Sequence, residues 1–231
     1  MKKNYKYLLW DVDDTLIDFK SSEKMTVREC FKIYGVSLTD EDIEIYSEIN
    51  RNYWELLAQG KIEKSAMLSC RFKDFVQHLS LESIDYEGIN SMYQEKLGDY
   101  AVMIEDAYEV CFQLKKTKQQ YAVTNGTIVA QNKKLDKTGL RALFDGVFIS
   151  DEVGYEKPDL QFFRCAFDNI AGFKREEAIL IGDSLSSDIM GANNAGIDCC
   201  WFNPKGKVNE NSSIKIQYEI KKLKELLDIV V

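Results

Sequence analysis

The sequence predicts an α/β fold in which a doubly wound parallel sheet carries an α-helical insertion after its first strand. Short apolar runs of strand length alternate with amphipathic segments of helix length, which is typical of parallel β-α-β units. The first apolar run, residues 5–10, stops at acidic residues, so it predicts a buried strand with functional groups at its carboxyl end. Residues 19–100 have helical periodicity and no convincing strand.

Four further strands are predicted later in the chain, each from an apolar run bounded by polar residues. They cover residues 121–124, 147–150, 178–181 and 198–202. The helix-length segments between them cover residues 106–118, 128–138, 160–171 and 187–195. In such open sheets, ligands bind beyond the carboxyl ends of the strands, where the strand order reverses. The tail, residues 218–231, is predicted to hold one or two extended residues and then an amphipathic helix.

The helical insertion has its own start and stop signals. Gly35 is a stop for the first helix, and Thr39 with Asp42 forms a capping box that opens the second. Two more helices are predicted over residues 63–79 and 86–97.

About 80 residues of helix exceed any ordinary connection between strands. We therefore expect residues 19–100 to form a helical cap domain, and residues 1–18 with 101–231 to form the catalytic core.

Composition excludes several classes of protein. The 231-residue chain carries 30 basic and 38 acidic residues, so its net charge of −8 is unlike that of a nucleic-acid binder. Its six cysteines lack the spacing of a zinc site and are expected to be buried thiols in a reducing compartment. The apolar run near the N-terminus is too short for a signal peptide or a membrane span. We expect a cytoplasmic protein whose partner is neither a membrane nor a nucleic-acid polymer.

Polar residues follow the ends of four predicted strands, and the fold would gather them at one edge. Asp11 and Asp13, two residues apart on an extended chain, should project to the same side. With Asp183 they would give hard oxygen ligands that suit Mg²⁺. The alternative for acidic residues at these positions is a helix cap or a solvated loop. The four sites in order cover residues 11–15, 124–127, 157–159 and 182–188.

The second and third sites suggest phosphate chemistry. Thr124 and the backbone amides of Asn125 and Gly126 would form a phosphate cradle, because a turn from strand to helix presents N–H groups. The ammonium of Lys157 would neutralise a carboxylate nucleophile and the phosphoryl oxygens. Taken singly, such a turn would be an ordinary start of a helix, and such a lysine is usually exposed to solvent. Their order along the chain is what favours function.

This ordered set resembles the haloacid dehalogenase-like hydrolase superfamily over nearly the whole chain. The resemblance implies a Rossmann-like core with the inserted cap. The four matching motifs are the segment 11–15, Thr124, Lys157, and Asp183 with Asp188.

The resemblance implies a role for each matching residue. Asp11 would be the nucleophile that forms an aspartyl-phosphate, and Asp13 would protonate the leaving alkoxide and then activate water. Thr124 and Asn125 would bind the phosphoryl group, and Lys157 would balance charge. The acid at Asp13 favours a phosphatase over a dehalogenase, because cleavage of a carbon–halogen bond needs no donated proton.

The resemblance also implies a magnesium site. Mg²⁺ would be held by Asp11, the backbone carbonyl of Asp13, and Asp183. Three residues would support these groups from nearby: Asp188, Thr15 and Ser184.

The motif stretches look like those of the pyrimidine nucleotidase branch, and a helical cap suits a small phosphate monoester. Phe19, Tyr53 and Trp54 are candidates for stacking on a base, although packing inside the cap is the more frequent role of such side chains. A phosphatase for sugar phosphates or phosphoglycolate is the main alternative. A phosphomutase and a receiver-like signalling module are weaker ones. The sequence does not predict the oligomeric state.

Overall fold

The sheet of the protein has six parallel strands in the order β3-β2-β1-β4-β5-β6. It is seen in a computed structural model that describes residues 3–81 and 83–230. β1 is central, with Trp10 opposite Ala122 of β2 on one side and Ile181 of β4 on the other. The predicted doubly wound parallel sheet is therefore confirmed. The strands are Tyr7–Trp10 (β1), Gln119–Thr124 (β2), Gly146–Ile149 (β3), Ala178–Gly182 (β4), Asp198–Phe202 (β5) and Tyr218–Ile220 (β6).

Helices cover both faces of the sheet, which is why β1 is apolar on both sides. Leu8 and Trp10 join one buried cluster, while Tyr7 and Leu9 join another on the opposite face. The helices of the core are Ala107–Leu114 (α5), Ile128–Thr138 (α6), Ser150–Val153 (α7), Leu160–Asp168 (α8), Met190–Ala195 (α9) and Leu227–Val230 (α10).

Within residues 19–81 and 83–100, the insertion forms four helices, and their buried apolar side chains make a cluster that Ala130 of α6 joins. Asp18 begins the first by accepting a hydrogen bond from the backbone N–H of Ser21 at 3.0 Å, and the predicted capping box of Thr39 and Asp42 begins the second. The cluster is built from aromatic side chains such as Phe72, and it lies apart from the two clusters of the sheet. The helices are Phe19–Ile33 (α1), Asp40–Ala58 (α2), Lys64–His78 (α3) and Tyr86–Lys96 (α4).

Two elements differ from the prediction. The tail contributes a sixth strand, β6, which pairs with β5 and is too short to show an alternating pattern. The helix predicted over residues 106–118 ends at Leu114 because β2 already begins at Gln119. The side chain of Gln120 is buried, where it accepts a hydrogen bond from Trp10 Nε1 at 3.0 Å and donates one to the carbonyl of Cys111 at 2.8 Å.

Candidate active site

Asp11 lies directly after β1, with both carboxylate oxygens held by neighbours. Thr15 Oγ1 donates a hydrogen bond to its Oδ2 at 2.8 Å, and Lys157 Nζ donates to its Oδ1 at 2.8 Å. The backbone N–H of Asp11 donates to the carbonyl of Ile181, which ties the residue to β4. These contacts fix the Asp11 carboxylate at the carboxyl edge of the sheet, and Thr15 donates one of them.

Lys157 is almost fully buried, and its ammonium connects the segment after β1 with the segment after β4. Besides Asp11, its Nζ donates to Asp188 Oδ1 at 2.7 Å and to the carbonyl of Val123 at 2.7 Å. Burial lowers its pKa, but the carboxylates of Asp11 and Asp188 outweigh that effect and raise the pKa of Lys157 above its ordinary value. The lysine is therefore a fixed positive charge.

Three carboxylates meet beside this single lysine. Ligand atoms of Asp11, Asp183 and Asp188 lie within 4.8 Å of one another, which suits a small cation with oxygen ligands. Burial and then the charge of Asp188 raise the pKa of Asp11 to about 7, against the lowering effect of Lys157. Burial and then the charge of Asp11 raise the pKa of Asp183 to about 8. A bound Mg²⁺ would remove this repulsion, so the donor set fits the predicted metal.

The turn after β4 leaves no room for a side chain at Gly182. A Cβ at that position would lie 2.4 Å from Asp188 Cγ and 2.5 Å from its Oδ2. Ser184 begins the π-helix Leu185–Ile189, since its Oγ accepts the backbone N–H of Ser187 and its own backbone N–H donates to Asp188 Oδ2 at 3.0 Å. Ser184 therefore orients the segment that carries Asp188.

The side chain of Asn125 contacts the backbone of Lys157, while its backbone amide is the group expected at the phosphate. Its Nδ2 donates to the carbonyl of Lys157 at 2.8 Å, and its Oδ1 accepts the backbone N–H of Lys157 at 2.8 Å. The amide thus holds the Lys157 loop, and a phosphate contact from Asn125 would come from its backbone. Thr124 is buried at the end of β2, next to this turn.

The side chain of Asp13 does not join the acidic group, contrary to the expectation that Asp11 and Asp13 project to the same side. Its carboxylate instead accepts hydrogen bonds from Lys134 Nζ at 2.6 and 2.9 Å and from Gln131 Nε2 at 2.7 Å. The chain leaves β1 in a tight loop, in which Asp14 has a positive φ of 60° and Asp13 bridges to Ile17. Of the two Asp13 groups that the prediction considered, only the backbone carbonyl is therefore left as a candidate for the predicted metal contact.

A cavity of about 170 Å³ lies between the helical insertion and this edge. Asp13, Phe19 and Trp54 line it, and Trp54 also borders a second cleft that reaches Asp183. Tyr53 is not among the residues that line the cavity. Its hydroxyl donates to Asp74 Oδ2 at 2.7 Å on the neighbouring helix, so the structure does not support a substrate contact for Tyr53.

Residues 8–202 match the family described as haloacid dehalogenase-like hydrolase. The chain belongs to this family. The resemblance inferred from the four motifs is thereby confirmed, and so is the prediction of an enzyme.

Individual relatives of this hydrolase cover almost its whole length. It is 34% identical over 228 residues to YfnB of Bacillus subtilis, which is named as a HAD hydrolase, covering 99% of this chain and 96% of YfnB. It is 34% identical over 225 residues to the pyrimidine 5'-nucleotidase PynA of Streptococcus pneumoniae, covering 97% and 94%. It is 28% identical over 199 residues to the pyrimidine 5'-nucleotidase YjjG of Escherichia coli, covering 86% of each. A crystal structure of YfnB bound to magnesium superposes with a TM-score of 0.94, covering 99% of each chain at 34% identity.

Sequence reasoning missed several polar residues around the cavity of this hydrolase. Arg71 and Gln94 belong to the insertion, while Gln131 and Lys134 belong to α6. Gln131 and Lys134 are three residues apart, so they lie on one face of the helix that follows the second motif. This spacing is the sequence feature that could have identified them. Within residues 3–81 and 83–230, no helix is long and apolar enough to cross a membrane.

Proposed function

We propose that this chain is a magnesium-dependent phosphatase that hydrolyses small phosphate monoesters through an aspartyl-phosphate at Asp11. The observation that carries the proposal is the buried Asp11 carboxylate in contact with Lys157, inside a group of three acidic residues. A carboxylate and a phosphate dianion repel each other, so attack requires positive charge at the site. Lys157 supplies one fixed charge there.

In the first half-reaction, an oxygen of Asp11 attacks phosphorus, and the bond from phosphorus to the ester oxygen breaks. Asp13 gives its proton to the departing alkoxide, which leaves as a neutral alcohol. In the second half-reaction, Asp13 takes a proton from water as that water attacks phosphorus, which releases phosphate and regenerates the Asp11 carboxylate. The contacts from Lys157 and Thr15 keep the carboxylate oriented throughout.

Mg²⁺, held by Asp11, Asp183 and the backbone carbonyl of Asp13, would supply the charge that keeps Asp11 ionised and offsets the phosphoryl charge. The acidic group fits this role because it contains three carboxylates, of which Lys157 pairs with Asp11 and Asp188. The magnesium-bound structure of the relative YfnB supports magnesium as the metal. Asp188 contacts both Lys157 and the backbone of Ser184, so we assign it to support of the ligands.

We assign pyrimidine nucleoside 5'-monophosphates as the preferred substrates. Two relatives, PynA and YjjG, are pyrimidine 5'-nucleotidases. The cavity offers the aromatic side chains of Phe19 and Trp54 to a flat ring, and it opens directly onto the Asp13 carboxylate. A base in the cavity would therefore leave the 5'-oxygen near the acid that protonates it.

Residues 19–100 would act as a cap that closes on the ester, with residues 1–18 and 101–231 as the catalytic core. The location would be cytoplasmic, which is supported by the six free cysteines.

The decisive experiment is a screen for phosphate release with and without Mg²⁺, using UMP, dUMP, dTMP, purine monophosphates, sugar phosphates and phosphoglycolate. Asp11→Asn serves as the control for contaminating phosphatases. We expect the pyrimidine nucleotides to be turned over at least about tenfold faster than the other esters, which corresponds to about 1.4 kcal/mol of discrimination. Asp11→Asn should lose activity by a factor on the order of 10⁴ or more, as other enzymes do without their covalent nucleophile.

Other outcomes separate the alternatives. Equal turnover of every class would remove the nucleotidase assignment and leave the phosphatase. A preference for sugar phosphates or phosphoglycolate would favour the main rival, and an isomerised sugar phosphate without released phosphate would indicate a mutase. Turnover by Asp11→Asn at the wild-type rate would sink the mechanism. Family membership already favours an enzyme over a receiver-like module.

A further inference from the structure

Two side chains of α6, Gln131 and Lys134, contact the Asp13 carboxylate and have no part in the reaction described above. Lys134 Nζ lies 2.6 Å from Asp13 Oδ1 and 2.9 Å from Oδ2, and Gln131 Nε2 lies 2.7 Å from Oδ2. Both side chains come from the same face of the helix. Among the described residues, the hydrogen-bond donors to the Asp13 carboxylate therefore both come from α6, on the side of the cavity.

The burial of Lys134 requires an explanation. Its exposed fraction is 0%, and a buried ammonium is unfavourable unless it is paired. Among the described residues, Asp13 is its only hydrogen-bonded partner for the ammonium, and the ring of Phe19 adds a cation–π contact with its centroid 4.9 Å away. Lys134 thus links Asp13 to the first residue of the helical insertion.

The surroundings of Gln131 are equally specific. A Cβ at Gly126 would lie 2.4 Å from Gln131 Nε2, so only glycine leaves the amide in its place. The same turn carries Asn125, which holds the Lys157 loop. One short turn therefore fixes the surroundings of both Asp11 and Asp13.

We propose that Lys134 and Gln131 are positioning residues that aim the carboxyl group of Asp13 at the leaving-group oxygen and keep it out of the metal site. Without them, Asp13 would be free to turn towards the cation as an additional carboxylate ligand, since it is only two residues from Asp11. Held by α6, it faces the cavity in which the leaving group would lie. This inference rests on the proposed phosphatase function.

The test compares two esters whose leaving groups need the acid to different degrees. UMP releases a strongly basic alkoxide, whereas p-nitrophenyl phosphate releases a weakly basic phenolate that hardly needs protonation. For Lys134→Met, we expect kcat with UMP to fall by about 10²-fold, within the usual contribution of a general acid, with KM little changed. With p-nitrophenyl phosphate, the quantity to compare is the pre-steady-state burst of p-nitrophenol, which reports attack by Asp11 before Asp13 activates water. We expect this burst rate to fall by less than about fivefold, because a phenolate hardly needs a donated proton.

Lys137→Met is the matched control, because Lys137 is an exposed lysine on the same helix. It should leave both esters at the wild-type rate. Gln131→Met is the second variant, and it keeps the buried ammonium in place if Lys134→Met fails to fold. It should reduce kcat with UMP by about five- to tenfold, with the same selectivity between the esters.

A p-nitrophenol burst rate that falls as much as kcat with UMP, a loss confined to KM, or wild-type kcat with UMP in both variants would overturn the positioning role. These outcomes are distinct from failure of the proposed function, in which the wild-type protein would release phosphate from neither ester in the presence of Mg²⁺.

Discussion

The catalytic edge and the interior of the helical insertion both bury charged side chains, but they balance the charge differently. At the edge, Lys157 forms ion pairs with Asp11 and Asp188, and Asp183 adds a third carboxylate to this group. In the insertion, Asn50 stands between one acid and one base: its Nδ2 donates to Glu23 at 2.5 Å, and its Oδ1 accepts from Arg71 at 2.7 Å.

This difference in charge balance distinguishes the candidate metal site at the edge from the structural network inside the insertion. Burial of unpaired charge is costly, and Lys157 forms its ion pairs with Asp11 and Asp188. A bound cation would balance the remaining negative charge of the three carboxylates, as the proposed metal site requires. The chain from Glu23 to Arg71 is neutral and hydrogen-bonded, so it needs no ligand and stabilises the packing of the helices around it.

The largest predicted effect comes from Gly182→Ala, which would disrupt the arrangement of charges at the edge. The added methyl group would overlap the Asp188 carboxylate and displace it from Lys157 and from the backbone of Ser184. Misplacement of a catalytic group by about 1 Å can cost roughly 10²-fold in rate, so we expect kcat/KM to fall by about that factor and the Mg²⁺ requirement to rise. Steady-state kinetics over a range of Mg²⁺ concentrations measure both.

Gly146→Ala on β3 is the control for adding a Cβ to a strand glycine. Its nearest neighbour would be the ring of Tyr121 at 3.1 Å, far less crowded than at Gly182. This variant should keep the Mg²⁺ dependence of the wild type. If Gly182→Ala also kept it, the carboxylate geometry argued above would be wrong.

A second prediction concerns the stability of the edge without metal. Without bound metal, the pKa of Asp11 is raised to about 7 and that of Asp183 to about 8, each mainly by burial. Both values exceed the ordinary carboxyl pKa, so between about pH 4 and pH 8 the folded state binds more protons than the unfolded state. These groups therefore make the folded state less stable as pH rises through that window. Bound Mg²⁺ should cancel this loss.

Thermal unfolding measured at pH 5.5 and pH 8.5, with EDTA or saturating Mg²⁺, tests the sign. We expect Mg²⁺ to raise Tm by about 5 to 10 °C at pH 8.5 and by less than about 2 °C at pH 5.5, for ligand near a hundred times its Kd at the higher pH. Glu23→Gln, in the neutral network of the insertion, should lower Tm yet keep the Mg²⁺ response. Asp183→Asn should lose the response. An equal rise in Tm at the two pH values would contradict the charge argument.

The catalytic edge was largely predictable from sequence because its geometry follows from strand ends. An apolar run that stops at Asp11 predicts where the carboxylate emerges, and parallel strands bring Lys157 and Asp183 to the same edge. The direction of the Asp13 side chain was not predictable in this way. It depends on a tight loop in which Asp14 has a positive φ, and on the tertiary packing that buries Lys134 and brings it against the Phe19 ring.

The cavity side of the insertion was less predictable for a simple reason of helix geometry. Tyr53 and Trp54 are adjacent on α2, and neighbours on a helix point about 100° apart. Only one of them can face a given cavity, but both are aromatic and half-buried, so composition and periodicity do not distinguish them. The contact between Tyr53 and Asp74, a residue distant in sequence, decides the matter.

The smallest predicted effect concerns Tyr53 and Trp54, and it separates substrate binding by the insertion from catalysis at the edge. Trp54→Ala removes an aromatic wall of the cavity, and the loss of stacking on one base costs roughly 1 kcal/mol or more, so KM for UMP should rise about fivefold or more. The kcat should change little, because Trp54 makes none of the contacts that hold Asp11 or Asp13. Tyr53→Phe, which loses only the hydrogen bond to Asp74, should leave KM unchanged. A rise in KM for Tyr53→Phe without one for Trp54→Ala would reverse the assignment of the two aromatic residues and move the base-binding surface to the side of α2 that carries Tyr53.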